Sequence, residues 1–582
     1  MTMEHPLEFT RRAVLTGMVL GAALTPCNVY SGLKIGWSFN MSIAAGLLAA
    51  GAWGVATRGF GTRPLSLLEN NINQTTASSS ASIISGGLVA PIPALTLLTG
   101  QEFTWPVLAF WVFCVSILGV VVAAALRRQM IEHDNLTFPA GVATAETMTQ
   151  IHAQGAGKAG ERSARLKALM SAAMLSGAAK LATDLAATAP RLALPGALPF
   201  WGAAKGSASL NNLTLAMDPS LLMIGFGALI GLRAGLSLLL GALIAWAVLG
   251  PWAVGQGWAQ AGAPNGIWFS ELVAWLLWPG VTLTVVSALT AFAISVFRVW
   301  RKRRGRPGNG FAVSPGYAAV LAGVTALITL AAGTIFGLPV WVSVLAVMLS
   351  YLLAVIAARV SGETGVTPVG ALGKVTQLTY GAVTPGDMAA NLMTANITGG
   401  AAGQCADMMH DLKTGSLIGA TARLQIFAQA FGVLTGSMVG AAVYLILVPD
   451  PAAMLMTPEW PAPAVATWKA VAEVLSAGLG AIPQGAVPAM AVAAVCGFIL
   501  AVAERMAPER VAKVLPSAPA MGVAFVIPAW NSISLCLGAV IAAVITRINP
   551  DWAEKRMTAL AAGLVAGESL VGVALALQTM AG

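Results

Sequence analysis

The sequence predicts an all-α polytopic membrane protein, and its composition and the spacing of its apolar runs support that prediction. Of the 582 residues, 57% are hydrophobic and only 9% are charged, and the mean hydropathy is +0.78. Soluble domains carry about 25% charged residues, so this chain has too little charge to cover a water-exposed surface. Apolar runs of about 20 residues recur along it, and each can cross a hydrocarbon core of ~30 Å as a helix.

The apolar runs set the expected number of membrane elements. The clear runs lie near 13–32, 39–57, 105–126, 168–189, 216–234, 236–252, 271–297, 312–336, 338–358, 425–448, 485–503, 531–547 and 557–578. Less regular segments lie at 65–90, 136–152, 362–411 and 514–530. Together they predict about 14 to 17 membrane elements, some of them broken or re-entrant. We expect a single integrated membrane domain of two related halves, 1–310, which ends in a basic cytoplasmic loop, and 311–582.

The basic residues predict an orientation in the inner membrane. The formal net charge is +9, but the basic residues sit in short loops between apolar runs, which is typical of topology signals and not of a nucleic-acid surface. The residues expected on the cytoplasmic side are Arg11, Arg12, Arg58, Arg63, Arg127, Arg128 and the stretch 298–306. The stretches 91–105 and 250–269 lack Lys and Arg and are expected outside. The first apolar run lacks a small-residue cleavage site, so we expect it to be retained.

The motifs that would indicate an enzyme, a cofactor or a metal site are missing from the sequence. GALGKV at 370–375 is the nearest approach to a phosphate-binding loop, but Val375 stands where Ser or Thr is required. There is no HExxH motif, the five cysteines are isolated, and the four histidines are scattered. We therefore predict no catalytic residue, no metal site and no cofactor. A secondary transporter is the favoured class, and a passive channel or structural membrane protein is the alternative.

A dense polar run near the N-terminus predicts a binding site for a polar solute. NNINQTTASSSAS at 70–82 offers many neutral donors and acceptors, whose desolvation costs far less than that of charges. Segments interrupted by Gly, Pro and amides often mark the binding site of a transporter. A solvated Ser/Thr-rich loop is the alternative. The candidate binding residues in this run are Asn70, Asn71, Asn73, Gln74, Thr76, Ser79 and Ser80.

The second half of the chain repeats parts of the first. LKIGWSFNMSIAAG at 33–46 resembles GETGVTPVGALGK at 362–374, which aligns Gly36 with Gly365 and Ser38 with Thr367. The polar run likewise resembles NLMTANITGGAA at 391–402, which adds the candidate binding residues Asn391, Thr394 and Asn396. The expected orientation starts the two elements on opposite sides, so we predict an inverted repeat. A third similarity, 136–145 with 515–525, needs a one-residue shift and does not fit the inversion.

Three motifs also resemble a known family. NVYSGLKIGWSFNMSI, ENNINQTTASSSASIISGG and LTFPAGVATAETM, in this order, are similar to the oligopeptide transporter (OPT) family, nearer to its yellow stripe-like and prokaryotic branch than to its peptide clade. The resemblance implies a proton-coupled importer of small peptides or peptide-like solutes, metal chelates included, by alternating access. Its expected partners are the solute, protons and the lipid bilayer, with no nucleic acid, and a homodimer is left open.

Proton coupling requires a group that can change its protonation state inside the membrane, and buried carboxylates suit this role. Glu146 is the first candidate, because it follows the Pro/Gly break of 136–152 between small residues; a helix cap or a pairing with a loop cation is the alternative. That segment lies between two basic loops, so we expect it to return without crossing or to pack as a broken helix. The further candidates are Glu69, Glu363, Asp407 and Asp411. Asp407 and Asp411 share a helix face beside His410, but a solvated helix end before Lys413 is the other interpretation.

Overall fold

The structure, a computed structural model, describes residues 7–38, 40–153, 156–185, 191–202, 206–303, 315–364, 367 and 369–581. The helices of the first half are α1 (Arg11–Ile35), α2 (Ser42–Phe60), α3 (Leu67–Ala81), α4 (Pro91–Thr99), α5 (Trp105–Arg127), α6 (Pro139–His152), α7 (Ala156–Leu185), α8 (Leu221–Ile230), α9 (Leu232–Ala242), α10 (Gly250–Gly255) and α11 (Phe269–Arg303). The predicted boundary between the halves, at 310, lies outside the described residues.

The second half is equally helical. Its helices are α12 (Pro315–Phe336), α13 (Val340–Thr364), α14 (Val369–Val383), α15 (Met388–Ile418), α16 (Ala422–Leu447), α17 (Pro451–Met454), α18 (Pro463–Ala477), α19 (Ala486–Met506), α20 (Glu509–Ala512), α21 (Ala518–Ala524), α22 (Ala529–Ile548) and α23 (Pro550–Ala581). Short 3₁₀ segments lie at Ser82–Gly86 and Gly478–Ala481, and π-helical turns lie at Arg128–His133 and Leu243–Leu249.

Four short strands form the β-structure of the described residues, between α7 and α8. They are β1 (Leu192–Ala193), β2 (Ala197–Pro199), β3 (Ser207–Ser209) and β4 (Ala216–Met217). Each sheet has two antiparallel strands, β1 with β4 and β2 with β3, in registers that pair Ala193 with Ala216 and Leu198 with Ala208. The β-structure contacts the segment before α11 through Asn212, whose carbonyl accepts a hydrogen bond from the Trp268 amide at 2.9 Å.

The predicted fold class is confirmed. Within the described residues, twelve helices are long and apolar enough to cross a membrane, and in this count α3 with α4, and α9 with α10, each form one span. Two predicted runs differ in detail. The run at 216–234 breaks at Gly231 into α8 and α9. The run at 168–189 belongs to α7, which is not among the twelve because Lys180 and Asp184, an ion pair one turn apart, lower its hydropathy.

The helices pack as two bundles, and each half of the chain contributes to both. The polar bundle consists of α1–α6 with α12–α18, where α1 packs on α3, α5 on α15 and α16, and α13 and α14 on α15. The apolar bundle consists of α7–α11 with α19–α23, where α7 packs on α23, α8 and α9 on α22, and α11 on α19 and α21. Contacts of α11 with α14 and α18, and of α1 with α23, join the two bundles.

The polar run forms a buried helix, so the interpretation as a solvated loop is wrong. At the start of α3 the Ser66 hydroxyl accepts from the Glu69 amide at 3.0 Å, and the Glu69 carboxylate accepts from the Ser66 amide at 3.1 Å. This reciprocal capping box satisfies backbone donors that the first turn leaves free. The side chains from Glu69 to Ala81 are all buried. Protein therefore surrounds the polar run, and several of its hydroxyls and amides, those of Asn70, Ser79 and Ser80 among them, bond to neighbouring helices.

Helix α15 is enclosed by protein over almost its whole length. Its 31 residues extend ~46 Å at 1.5 Å per residue, and from Ala390 to Gly415 only Asp407 is not fully buried. Ser82 lies beside Asp407, Ser85 bonds to Gln404, and Gly87 lies against Asn396. From one contact to the next, the residue numbers rise from 82 to 87 in the α3–α4 element and fall from 407 to 396 in α15. Helix α15 therefore runs antiparallel to the α3–α4 element.

The segment with the Pro/Gly break forms the short helix α6. Phe138, at its N-cap, has a positive φ of 44°, and Pro139 occupies the first turn. Its 14 residues extend only ~21 Å, less than the ~30 Å of a hydrocarbon core. The length agrees with a broken helix, and its return to the side of entry stays a prediction.

Candidate functional site

A cavity of about 690 Å³ lies where the two bundles meet. This volume is in the range of small-molecule binding sites. The polar bundle lines it with the segment after α1, the turn between α3 and α4, α14, α15 and the start of α18, and the apolar bundle lines it with α11, α19 and α21. The cavity is therefore built from both halves of the chain and both bundles.

The polar wall of the cavity carries a buried ammonium group. Lys374 of α14 is only 3% exposed. Its Nζ donates to the Gln377 Oε1 at 2.7 Å and lies 4.4 Å from the centre of the Trp468 ring. The remaining contact, to the Thr467 carbonyl oxygen, is long at 3.5 Å. Among the described residues no carboxylate forms an ion pair with Lys374, so its compensation inside the protein comes from neutral groups.

A second layer of side chains fixes the geometry around Lys374. The Gln377 Nε2 donates to the Asn391 Oδ1 at 3.0 Å and to the Trp468 carbonyl oxygen at 3.2 Å. In return, the Asn391 Nδ2 donates to the Gln377 carbonyl oxygen at 2.7 Å. The Gln377 amide is therefore oriented with its oxygen toward the ammonium group. Because its partners are buried and bonded to one another, Lys374 is held in one position.

The same wall carries a carboxylate. Asp407 of α15 lines the cavity beside Ser82 and is the partly exposed member of an otherwise buried stretch. Gly399 packs against Gly373, so the level of Lys374 on α15 lies about eight residues, or ~12 Å, from Asp407. Asn396, whose Oδ1 accepts from the Trp111 indole at 2.7 Å, lines the cavity about one helical turn beyond the Lys374 level, on the side away from Asp407. The wall can therefore contact groups of opposite charge at two separate points.

The wall from the apolar bundle is different in kind. Its lining from α11 and α21 consists of Thr284, Val285, Ala288, Ala291, Phe292, Ser295, Pro519 and Val523. Arg505, near the end of α19, adds a cation at one edge. Small and apolar side chains make few directional bonds. Recognition of polar groups is consequently concentrated on the wall of the polar bundle.

The predicted binding residues on α3 do not line the cavity, and most of their polar atoms bond to protein. They are Asn70, Asn71, Asn73, Gln74, Thr76, Ser79 and Ser80, and all are buried. The Asn70 Nδ2 donates to the Gly46 carbonyl oxygen at 3.0 Å, the Ser79 hydroxyl donates to the Gln429 carbonyl oxygen at 2.9 Å, and Ser80 bonds to Thr25 at 2.9 Å. The Gln74 Nε2 donates to the Asn71 Oδ1 at 3.1 Å. Contact of these residues with a solute stays a prediction.

The predicted binding residues on α15 lie closer to the cavity. Asn396 lines it directly. Asn391 supports Gln377 and through it Lys374. The Thr394 hydroxyl donates to the Ala390 carbonyl oxygen at 2.6 Å, a bond within its own helix. Of the aligned pair Ser38 and Thr367, both line the cavity, whereas Gly365 is outside the described residues.

The candidates for proton coupling have very different surroundings. Glu146 on α6 and Glu363 at the end of α13 are exposed. Glu69 is buried, and its carboxylate accepts from Arg12 at 2.5 Å and from Arg63 at 2.8 Å. These ion pairs fix the start of α3 to α1 and to the loop before α3. Asp407 lines the cavity. The structure therefore brings one of these four carboxylates to the site.

The interpretation of the 407–411 segment as a solvated helix end is wrong. α15 continues to Ile418, and His410, Asp411 and Lys413 are buried. The His410 Nε2 bonds to the Ser361 hydroxyl at 2.9 Å, and the Asp411 Oδ1 accepts from the Ser42 hydroxyl at 3.1 Å. These groups join α15 to α13 and α2, behind the wall that Asp407 contributes to the cavity.

Lys374, Trp468 and Arg505 line the cavity and were not predicted as site residues. Lys374 stands in the GALGKV segment, which carries no phosphate-loop signal, and a lysine in an apolar helical run is itself a pointer to a functional site. Trp468 and Arg505 belong to α18 and α19, whose sequences show no feature that separates them from ordinary membrane-protein aromatics and loop cations. Their assembly depends on the packing of distant helices.

Comparison with known proteins identifies the family. The family model for OPT oligopeptide transporter proteins matches residues 8–304 and 312–579. A Saccharomyces cerevisiae protein named as an oligopeptide transporter is 23% identical over 563 residues, which cover 75% of this chain and 77% of the yeast protein. One so named from Haemophilus influenzae is 30% identical over 36% of this chain and 30% of its own length. The iron-phytosiderophore transporter yellow stripe 1 of Zea mays is 27% identical over 28% of this chain and 24% of its own length. This chain belongs to the OPT oligopeptide transporter family, whose members are transporters of oligopeptides or metal chelates and not enzymes.

Proposed function

We propose that the protein is a proton-coupled secondary transporter of the cell inner membrane, which imports small peptides or peptide-like solutes, metal chelates included, by alternating access. The observation that carries the proposal is the cavity between the two bundles, with Lys374 and Asp407 on one wall and an apolar surface on the other. A solute held by the polar wall can be exposed to either side when that wall moves along the apolar one.

An inverted repeat supports alternating access, and reciprocal contacts between the halves support the repeat. The Phe138 amide donates to the Gly362 carbonyl oxygen at 2.9 Å, and the Ala462 amide donates to the Leu33 carbonyl oxygen at 2.9 Å. Leu33 and Gly362 are equivalent in the alignment of Gly36 with Gly365. Phe138 and Ala462 cap α6 and α18 with positive φ values of 44° and 43°. Since this conformation is costly for residues with a side chain, its occurrence at both positions supports a common origin.

The directions of the helices support the inversion. The α3–α4 element and α15 carry the two related polar runs, and their contacts run antiparallel. Contacts of Thr76 with Gly432 and Ser80 with Gly436 make α3 parallel to α16, and contacts of Trp111 with Asn396 and Val115 with Gly400 make α5 parallel to α15. Helix α3 thus packs parallel to α16, which follows α15 in the chain, and α15 packs parallel to α5, which follows the α3–α4 element. In this scheme α18, and not 515–525, is the counterpart of α6.

The solutes named for the relatives fit a polar wall of mixed charge. Two relatives are named for oligopeptides and one for an iron-phytosiderophore. Peptides carry an ammonium and a carboxylate at their two ends, and an extended chain covers ~3.3–3.6 Å per residue. The ~12 Å along α15 between the levels of Lys374 and Asp407 corresponds to a few residues. A solute with acidic and basic groups at that spacing can contact both.

Asp407 is the carboxylate that we propose for proton coupling. It faces the cavity, where a proton and a solute can arrive from the same side, and no basic side chain of the described residues pairs with it. Glu69 is neutralised by two arginines, and Glu146 and Glu363 are exposed away from the cavity. A group that binds a proton only in the loaded cavity couples the two movements.

Uptake into proteoliposomes tests the function. We expect purified protein to accumulate labelled tri-L-alanine or an iron–nicotianamine chelate above equilibrium when the outside is made acidic, with a saturable rate. Asp407→Asn should reduce accumulation by at least about tenfold, whereas exchange of internal for external solute should remain measurable. Glu146→Gln, a matched change outside the cavity, should accumulate normally. Flux that only equilibrates would instead support a passive channel, and loss of accumulation in Glu146→Gln alone would transfer the coupling role to Glu146.

A further inference from the structure

We infer that Lys374 is the anchor for a carboxylate group of the transported solute. The inference rests on the proposed transport function and adds to it the chemical group that the solute must carry. The geometry that points to it is a buried ammonium group that faces a cavity and has only neutral partners among the described residues.

Other cations of the molecule show what a structural role looks like. Arg12 pairs with Glu69, Arg233 with Glu504 at 2.9 Å, and Lys469 with Glu473 at 2.5 Å. Lys413 is the other lysine or arginine of comparable burial among the described residues, and its Nζ reaches the exposed Asn135 at 3.1 Å, outside the cavity. Lys374 differs from all of these, because it is buried, unpaired and directed into a space that a solute can enter.

The contacts of Lys374 leave room for an anionic partner. An ammonium group has three N–H donors. One is used in the short bond to Gln377, and the contact to the Thr467 carbonyl oxygen is too long to be strong. The Trp468 ring covers one side of the ammonium through a cation–π contact. A carboxylate that arrives from the cavity side would therefore meet a free donor at a fixed position, held by Gln377 and Asn391.

The energetics favour a ligand role over a structural one. A buried charge without a counter-ion is unfavourable in the empty protein. A permanent counter-ion from the protein would cancel the attraction to a solute, whereas a transported carboxylate supplies it only in the loaded state. Lys374 therefore lowers the stability of the empty site and raises the affinity for an acidic solute, which is a trade typical of functional residues.

Binding to purified protein in detergent tests the inference without any gradient. The probes are tri-L-alanine and its C-terminal amide, and metal-free nicotianamine and its methyl ester, measured by thermal shift and by calorimetry. We expect wild type to bind at least one acid and to bind the matching neutral derivative at least about tenfold more weakly, the change that follows loss of one charge-assisted hydrogen bond. Lys374→Gln should lose the preference for the acid, and Lys374→Arg should keep part of it.

Two controls separate ligand binding from folding. Lys413→Gln removes a buried charge outside the cavity and should keep the preference for the acid. Lys374→Gln without ligand should be at least as heat-stable as wild type, whereas a structural lysine would leave it less stable. Equal binding of acid and neutral derivative by wild type, wild-type affinity of Lys374→Gln for the acid, or absence of binding of both acids to wild type would each overturn the inference. If acid-specific binding is found but accumulation is not, the transport mechanism fails and the carboxylate anchor stands.

Discussion

The two bundles are held together by the same two kinds of contact in different proportions. In the polar bundle, side chains of α3, α15 and α16 bond across helices, as Ser79 does with the carbonyl of Gln429. In the apolar bundle, helices approach until backbones touch, and a Cβ at Gly538 of α22 would lie 2.0 Å from the carbonyl oxygen of Ile224 on α8. Small residues at helix interfaces and polar bonds between helices are the two means of association in a membrane. The polar bundle combines both, since a Cβ at Gly432 of α16 would lie 2.2 Å from the carbonyl oxygen of Thr76 on α3, whereas the apolar bundle relies more on the steric one.

The difference extends to the two walls of the cavity. The wall with Lys374 and Asp407 is specific, since each group binds only a complementary charge. The wall with Val285, Ala288 and Phe292 has no preferred partner along its length. The movement of one wall along the other that we propose would meet fewer barriers on such a surface than on one with bonds to break. The contrast between the bundles is therefore expected to appear in stability, in transport rate and in the cost of single hydrogen bonds.

The largest effect is expected from the backbone contact in the apolar bundle. Gly538→Val should lower the free energy of unfolding by on the order of 3 kcal/mol or more, because α8 and α22 must separate to admit the side chain. Thermal unfolding and size-exclusion chromatography in detergent measure this. Gly54→Ala on α2 is the control, since no atom lies within 4 Å of a Cβ there, and it should be neutral or stabilising by up to ~1 kcal/mol. Equal stability of both variants would show that close packing does not hold the apolar bundle.

A smaller effect is expected from narrowing the apolar wall. Ala288→Leu should reduce the uptake rate several-fold without lowering stability, because the added side chain projects into the cavity and not into a packed core. Initial uptake rates in proteoliposomes measure it. Ala293→Leu makes the same change on an exposed face of α11 that does not line the cavity, and its rate should match wild type. An unchanged rate in Ala288→Leu would mean that the solute does not pass this wall.

The smallest effect is expected from one polar bond between helices. Ser79→Ala removes the bond to the Gln429 carbonyl oxygen and the bond from Gln404 at 3.3 Å. Interhelical polar bonds in membranes contribute ~0.6 kcal/mol on average, so the melting temperature should fall slightly and uptake should persist. Uptake lost at unchanged stability would instead identify Ser79 as a binding residue. A destabilisation as large as that of Gly538→Val would remove the contrast between the bundles.

The sequence allowed the fold class and the two polar elements to be predicted, because both depend on local composition. The polar run could be assigned to an internal element, but which neighbour each hydroxyl meets depends on how α1, α2 and α16 pack around α3. Glu146 illustrates the limit. Small residues surround it in the sequence, yet the face of α6 that packs on α15 is the one with Gly141, and Glu146 is exposed.

The cavity could not be predicted because its parts lie far apart in the chain. Along the chain, Lys374 lies 33 residues before Asp407 and 94 residues before Trp468, and all three line the cavity. The sequence offers only the poorly fitting similarity of 136–145 to 515–525 for α6, whereas the reciprocal capping bonds favour α18, which begins at Pro463. The resemblance of PAGVAT at 139–144 to PAVAT at 463–467 is too short to stand out among the many Ala- and Val-rich segments.

The enclosure of α15 has a consequence for how the chain is made. This helix carries Asp407, Asp411 and Lys413 and is not among the twelve segments apolar enough to cross a membrane by themselves. Insertion by the translocon favours apolar segments and penalises charges near a helix centre by ~2.5–3.5 kcal/mol each. Helix α15 must therefore enter the bilayer against helices already made, α3 and α5 among them. Biogenesis of the second half thus depends on the first half being in place, and the order of synthesis becomes part of the folding pathway.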